Sequence, residues 1–208
     1  SRPDAELPRF EVAKYRKAID FSNKQWRQEL VRIPRYVSPN TNPQTRISAV
    51  DNGIGFDIAV DGSMSRQSQL DSRARHTELY HHPIGVLQVA LDPASQISNL
   101  RVVGAEQSVS IVASDGTELT LYINPETGLP SRVQSMAYYA RHLGDVFIET
   151  QFGGYENVDG LQLPTTLTSM LDRFELLSVT VSNSVNGDTR NLEAPDEVKS
   201  RSVPVPSA

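Results

Sequence analysis

The chain has 208 residues, 38% of them hydrophobic, with a formal net charge of -5 and no cysteine. That length suits one large domain or two small ones and buries an ordinary core without covalent staples. The acidic balance argues against a nucleic-acid partner. The missing cysteines exclude disulfides, a thiol nucleophile and cysteine-ligated zinc, and no apolar run reaches the ~18 residues of a membrane span.

Along the chain, "RFEVAKYRKAIDF" sets Phe10 and Val12 on one parity and Tyr15, Ile19 and Phe21 on the other. A strand with a bulge near Ala13 reconciles the two, with a helix as the alternative. "FSNK" followed by "QWRQELVRI" then reads as a hairpin. "PRYVSPNTNPQTR", Pro34 to Arg46, is rich in Pro, Asn and Thr and reads as a mobile loop. Ile54, Phe56, Ile58 and Val60 alternate with period two, as in a half-buried strand.

Asp71 or Ser72 can cap a helix. The segment "HHPIGVLQVAL" then lays Ile84, Leu87 and Leu91 on one stripe, flanked by Val86 and Ala90. Pro83 breaks or restarts this helix, and Asp92-Pro93 ends it. The stripe is expected to be buried on the concave face of a sheet.

The rest alternates again. Val109, Ile111 and Ala113 form one run, and Leu119, Leu121 and Ile123 another. Val146, Ile148 and Phe152 follow, then Leu161, Leu163 and Leu167, then Leu177, Val179 and Val181. Short turns, "SDGT", "HLGD" and "VDGL", separate the runs, so neighbours are antiparallel. Two stretches share one grammar: "NPETGLPSRVQS" and "ENVDGLQLPTTLTS" each write an acidic turn, Gly-Leu, a proline and alternation. They read as two turns of one meander, each proline placed where its missing N–H costs no ladder bond. The stretch 191–208, with Pro195, Pro204 and Pro206, has no period and reads as a linker or tail behind a curved-sheet domain spanning 1–190. The chain opens on "SRPDAELP" without a methionine, which is expected of a chain from which a leading segment was removed.

No catalytic set assembles in the sequence. There is no G-x-S-x-G and no phosphate or dinucleotide loop, and the carboxylates Asp57, Asp61, Asp145, Glu149 and Glu156 fall at solvent parity or in turns. In "HTELYHH", Glu78 and His82 would share a helix face as a two-ligand metal pair, but the glutamate is misplaced for H-E-x-x-H and no further ligand group follows. Among the aromatics, Tyr139 and Phe152 share one face of the strands, and Tyr138 and Phe147 the other. One face covers the helix. The other is either a binding surface or covered by a loop or a second domain.

The wording from "YINPETGLPSRVQS" to "VNGD" resembles the curved sheet of LolA-type lipoprotein carriers, an incomplete antiparallel barrel around helices and an apolar groove. More particularly, "LPRFEVAKYRKAIDFSNKQWRQELVR", "YHHPIGVLQVAL" and "VNGDTRNLEAPDEVKS" resemble the region preceding the catalytic domain in bacterial metallo-β-lactamase-fold hydrolases. The resemblance implies a periplasmic or secreted site, with zinc in a downstream catalytic domain. None of that family's H-x-H-x-D-H ligands is present here, so no cofactor is expected in this segment.

The expectation is therefore an α+β fold, a strongly curved antiparallel sheet forming a half-open barrel around one helical segment. The expected role is a non-catalytic accessory domain that packs on a downstream catalytic domain or partner subunit and shapes substrate access. The alternative is a stand-alone periplasmic carrier holding lipid or lipoprotein acyl chains. Its apolar groove would be lined by Ile84, Leu87, Leu91, Phe152, Leu163 and Leu167.

Overall fold

The computed structural model describes residues 10–34, 42–140, 144–185 and 192–204. Most of the Pro34–Arg46 loop, the "HL" of the "HLGD" turn and the side chains of Tyr138 and Tyr139 lie outside the described residues. The fold class is α+β, built from antiparallel sheets and few helices. No helix is long and apolar enough to cross a membrane. The chain divides into two compact units, Ser1–Ser68 with Thr189–Ala208, and Gln69–Asp188.

The first unit is a five-stranded meander: β1 (Phe10–Asp20), β2 (Gln25–Pro34), β3 (Gln44–Asp51), β4 (Ile54–Ile58) and β5 (Met64–Arg66). The register slips between Val12 and Lys14, so the bulge that the parity change requires is present. At the β1–β2 turn, Asp20 accepts from the Asn23 backbone N–H at 3.0 Å and from its side-chain amide at 2.8 Å. Asn52 and Gly53 join β3 to β4 with φ of 43° and 85°, the left-handed pair that a two-residue hairpin turn needs.

Part of the segment read as a linker packs on this sheet. A short helix, α3 (Asp196–Ser200), brings Val198 and Ala194 into a cluster with Ala49, Phe56 and Ile58. Leu192, Ala194 and Val198 are all buried. The backbone follows: Ala194 N–H donates to Asp51 Oδ2 at 2.9 Å, while Gln25 Nε2 donates to the other Asp51 oxygen at 2.8 Å. Arg66 donates to the carbonyls of Lys199 and Arg201 at 2.8 and 2.7 Å, and Arg201 returns a bond to the Met64 carbonyl. A stretch without period thus takes its order from three spaced apolar side chains and from partners distant in sequence.

The second unit begins with α1 (Gln69–Thr77), a 3-10 turn (Glu78–His81) and α2 (Pro83–Leu91). His82 is extended and caps α2: its Nδ1 accepts from Ile84 N–H at 3.2 Å, with Pro83 in the first turn. The remaining strands are β6 (Gln96–Val103), β7 (Glu106–Val112), β8 (Glu118–Ile123), β9 (Pro130–Ala140), β10 (Gly144–Gly153), β11 (Glu156–Val158), β12 (Leu161–Leu163), β13 (Thr166–Leu171) and β14 (Phe174–Thr180). Seven of them form an open antiparallel sheet ordered β14-β13-β10-β9-β8-β7-β6, and β11–β12 is a separate ribbon between β10 and β13. The sheet does not close, since β14 and β6 are its edges.

Period two works here as the sequence predicts. Leu119, Leu121, Val133, Val146, Thr150 and Phe152 are buried and share one face. The opposite face carries polar side chains: Arg132 bridges Glu106 and Glu149 at 2.8 and 2.9 Å and lies over the Tyr122 ring at 3.7 Å.

Two glycines in the repeated turns have the conformation their turns demand. Gly128 has φ of 69°, and Asp159-Gly160 has φ of 52° and 87°, closing β11 on β12. Nothing lies within 4 Å of a Cβ built on Gly160, so the restriction there is backbone strain alone. Gly160→Val is expected to cost about 1–3 kcal/mol. A thermal melt checks this, and an unchanged midpoint would remove the requirement for a left-handed residue.

Candidate functional site

The two stretches of shared grammar meet in space. The turn of the first and Gln162 of the second line one open cleft of about 530 Å³ at an end of the seven-stranded sheet. The first contributes Asn124, Thr127, Leu129, Pro130 and Ser131, and the chain just before the second contributes Phe152 to Tyr155. That volume lies within the range of small-molecule sites.

The first wall is a self-bonded turn. Asn124 Oδ1 accepts from Glu126 N–H at 2.8 Å, the Asn124 carbonyl accepts from Gly128 N–H at 2.8 Å, and Thr127 Oγ1 accepts from Leu129 N–H at 3.3 Å. Pro130 then starts β9 opposite Ile123. The second wall is held by Thr165, whose hydroxyl donates to the Gly154 carbonyl at 2.6 Å and whose N–H donates to the Gly153 carbonyl at 3.0 Å. A Cβ on Gly153 would come within 2.6 Å of Thr166 Oγ1, and one on Gly154 would meet Thr165. The Gly-Gly pair is therefore fixed by this close approach. Tyr155 joins the walls by donating its hydroxyl to the Pro130 carbonyl at 2.7 Å. Burial pushes the Tyr155 phenol above its ordinary range, so it stays a donor at neutral pH.

No family model matches this chain, and no curated protein matches it. Among solved structures it is similar to a LolA superfamily protein from Nitrosomonas europaea. The two chains are 12% identical, the match covers 85% of this chain and 81% of the other, and the TM-score is 0.40. A likeness of that degree carries no argument about ligand or activity, which must come from the residues of this chain.

Of the expected groove residues, Phe152 lines this cleft. Phe152 is buried, lines the cleft and pairs in register with Leu167, which is half-buried. Leu163 is buried on the small ribbon. The helical stripe is different: Leu87 is 40% exposed and Leu91 80%, while Ile84 is half-buried. The buried residues of α2 are Pro83, Gly85 and Val86. The reason lies at His82, whose extended backbone separates the 3-10 turn from α2. With its start set there, α2 turns the side of Pro83 and Val86 inward, with Val89 and Ala90 half-buried, and leaves Leu87 and Leu91 on the outer side.

The candidate metal pair falls on two elements. Glu78 opens the 3-10 turn, and the Nδ1 of His82 is engaged in capping. Among the described residues no three His, Asp or Glu side chains come together as a metal site.

The histidine before it has the more consequential environment. His81 is buried on the sheet, its Nε2 2.8 Å from Ser135 Oγ and its Nδ1 3.0 Å from Thr150 Oγ1. Ser135 faces Ile148 and Val133 faces Thr150 across β9 and β10, so the two hydroxyls are diagonal neighbours on the helix-facing side. An imidazole offers one donor and one acceptor, and a hydroxyl can answer either. All three groups are buried, with Ser135 3% exposed, so the chain of bonds fastens the helical segment instead of presenting a nucleophile. Tyr80 adds a second fastening, donating to Asp115 Oδ2 at 2.9 Å in the "SDGT" turn. Burial, followed by the Asp115 carboxylate, raises the Tyr80 phenol. Sequence reasoning missed both because their partners lie 35 to 69 residues away.

Proposed function

We propose that this chain is a non-catalytic binding module whose end cleft holds a small amphipathic ligand. The cleft carries this reading: Leu129, Pro130 and Phe152 offer an apolar wall, and Asn124, Thr127, Ser131 and Gln162 supply polar groups around it. The cluster of His81 with Ser135 and Thr150 is buried and structural, so it does not compete as a reaction centre. Binding of an apolar ligand is the carrier reading, relocated from the helix stripe to the turns.

The uncharged fluorophore N-phenyl-1-naphthylamine tests this. Saturable enhancement at micromolar concentration is expected with the unaltered chain. Gln162→Trp, at an exposed cleft position, is expected to remove it. Leu87→Trp, on exposed α2, is expected to leave it unchanged. Absence of saturable binding, or binding indifferent to Gln162→Trp, would overturn the proposal.

The accessory-domain reading has its own support. Leu91 on α2 is 80% exposed, and Leu100 and Val102 on β6 are 78 and 74% exposed, apolar side chains of the kind a neighbouring domain covers. In that reading the neighbour is the catalytic domain of a metallo-β-lactamase-like hydrolase, and the zinc belongs to it.

A further inference from the structure

We infer that Tyr155 is a specificity-determining residue of the cleft: its bond to the Pro130 carbonyl pins the two walls at a fixed gap, so that the site admits an unbranched apolar chain and excludes a branched one. The inference rests on the cleft being a ligand site, and it concerns the width of ligand which that site admits.

The cleft is the mouth of a fork in the sheet. The pairing of β9 with β10 ends at Arg132 and Gln151. Beyond that rung the strands continue with different neighbours. β9 stays on β8 as far as Pro130, opposite Ile123, and β10 stays on β13 as far as Gly153, opposite Thr166. Pro130 and Ser131 line the cleft from one prong, and Phe152 and Gly153 from the other. Each prong is tied separately. The first runs back into the self-bonded Asn124 turn, and the second hangs on Thr165 through the Gly153 and Gly154 carbonyls. Across the prongs runs the 2.7 Å bond from the Tyr155 hydroxyl to the Pro130 carbonyl. Proline has no N–H to offer, so its carbonyl is the backbone group that the pin can hold.

A pinned fork has one width. A slim ligand enters with the pin intact. A ligand wider than the gap enters only by breaking the pin, which forfeits the bond and takes the phenol from the carbonyl of Pro130, a buried residue. A buried acceptor left unsatisfied costs more than the bond itself contributes. Discrimination by that cost and by the poor fit of a branch is about tenfold, the scale on which an apolar site rejects one methylene too many. Burial keeps the phenol protonated, so the pin is present at neutral pH.

Displacement of N-phenyl-1-naphthylamine by two isomeric alcohols, 1-decanol and the branched 2-propyl-1-heptanol, tests the inference, since the pair differs in width and shares head group and carbon number. With the unaltered chain, 1-decanol is expected to displace the probe at a concentration about tenfold lower. Tyr155→Phe keeps the ring and removes the pin. It is expected to bring the two alcohols toward parity, chiefly by strengthening the branched one, and to lower the melting temperature by no more than about 4 °C. A merely structural role for Tyr155 would weaken both alcohols alike and leave their ratio at the parent value, and that result overturns the inference. Equal displacement by the two alcohols with the unaltered chain overturns it as well, and leaves the cleft as a site. Failure of the probe to bind the unaltered chain overturns the cleft reading itself, and the inference with it.

Discussion

Val198→Asp is expected to lower the unfolding midpoint by about 10 °C, the shift that a loss near 4 kcal/mol produces in a chain of this size. Val198 is fully buried between Ala194 and the β3–β4 residues Ala49, Phe56 and Ile58. A carboxylate placed there has no cation or donor in the cluster, and a buried unpaired charge costs several kcal/mol. The cost has a ceiling, because the chain can escape by releasing α3. Release forfeits the burial of Leu192, Ala194 and Val198, and each large apolar side chain contributes about 1.5–3 kcal/mol. It also removes the Ala194 N–H from Asp51, which is 7% exposed and keeps only the Gln25 Nε2 bond of the two. Limited proteolysis should then cut the variant within 192–201, where the unaltered chain resists. Val203→Asp, at a position 44% exposed, is the control and should melt as the parent does. A variant at 198 that melts with the parent would show that the tail contributes nothing to the first unit.

His81→Ala is expected to destabilise the second unit by about 3–5 kcal/mol. Two buried hydroxyls, Ser135 and Thr150, lose their partner, at about 1–3 kcal/mol each for an unsatisfied group, and the missing ring leaves a cavity. The asymmetry of buried polar groups supplies a sharper test. Combining His81→Leu with Ser135→Ala and Thr150→Val removes both halves of each bond. It should therefore recover most of the loss, since an apolar replacement of a whole network is close to neutral. Urea unfolding of the single and triple variants separates the cases. If the triple variant is less stable than His81→Ala, the histidine does more than tie helix to sheet.

Much of the fold was legible because strands announce themselves. The runs around Leu119, Val146 and Ile54 alternate with period two, and each became a strand with that parity inward, except Val60, which lies beyond β4 and is 83% exposed. The parity change at Ala13 became a bulge, and Asp159-Gly160 became a left-handed turn. These are local rules, written by neighbours two residues apart, so a single chain can be read for them. β6 was not foreseen, because all its residues are exposed and it alternates nothing. The helix stripe was misplaced because α2 is apolar on nearly every side, so its sequence does not say which side faces inward.

The site divides along the same line. The sequence by itself determined that two turns of the same grammar exist, that each needs a glycine of positive φ and that each leads to a proline, because turn chemistry is local. That the first turn and Gln162 of the second stretch share a cleft was decided elsewhere. The ladder order β10–β9–β8 and the ribbon β11–β12 bring Thr127 and Gln162 to one cleft, and Tyr155 closes the gap with a bond across 25 residues. In the same way α3 is ordered by Asp51, 143 residues before Ala194. Contacts over such separations leave no period in the chain, since they are selected by the summed burial and hydrogen bonding of the folded state, which only the tertiary structure assembles.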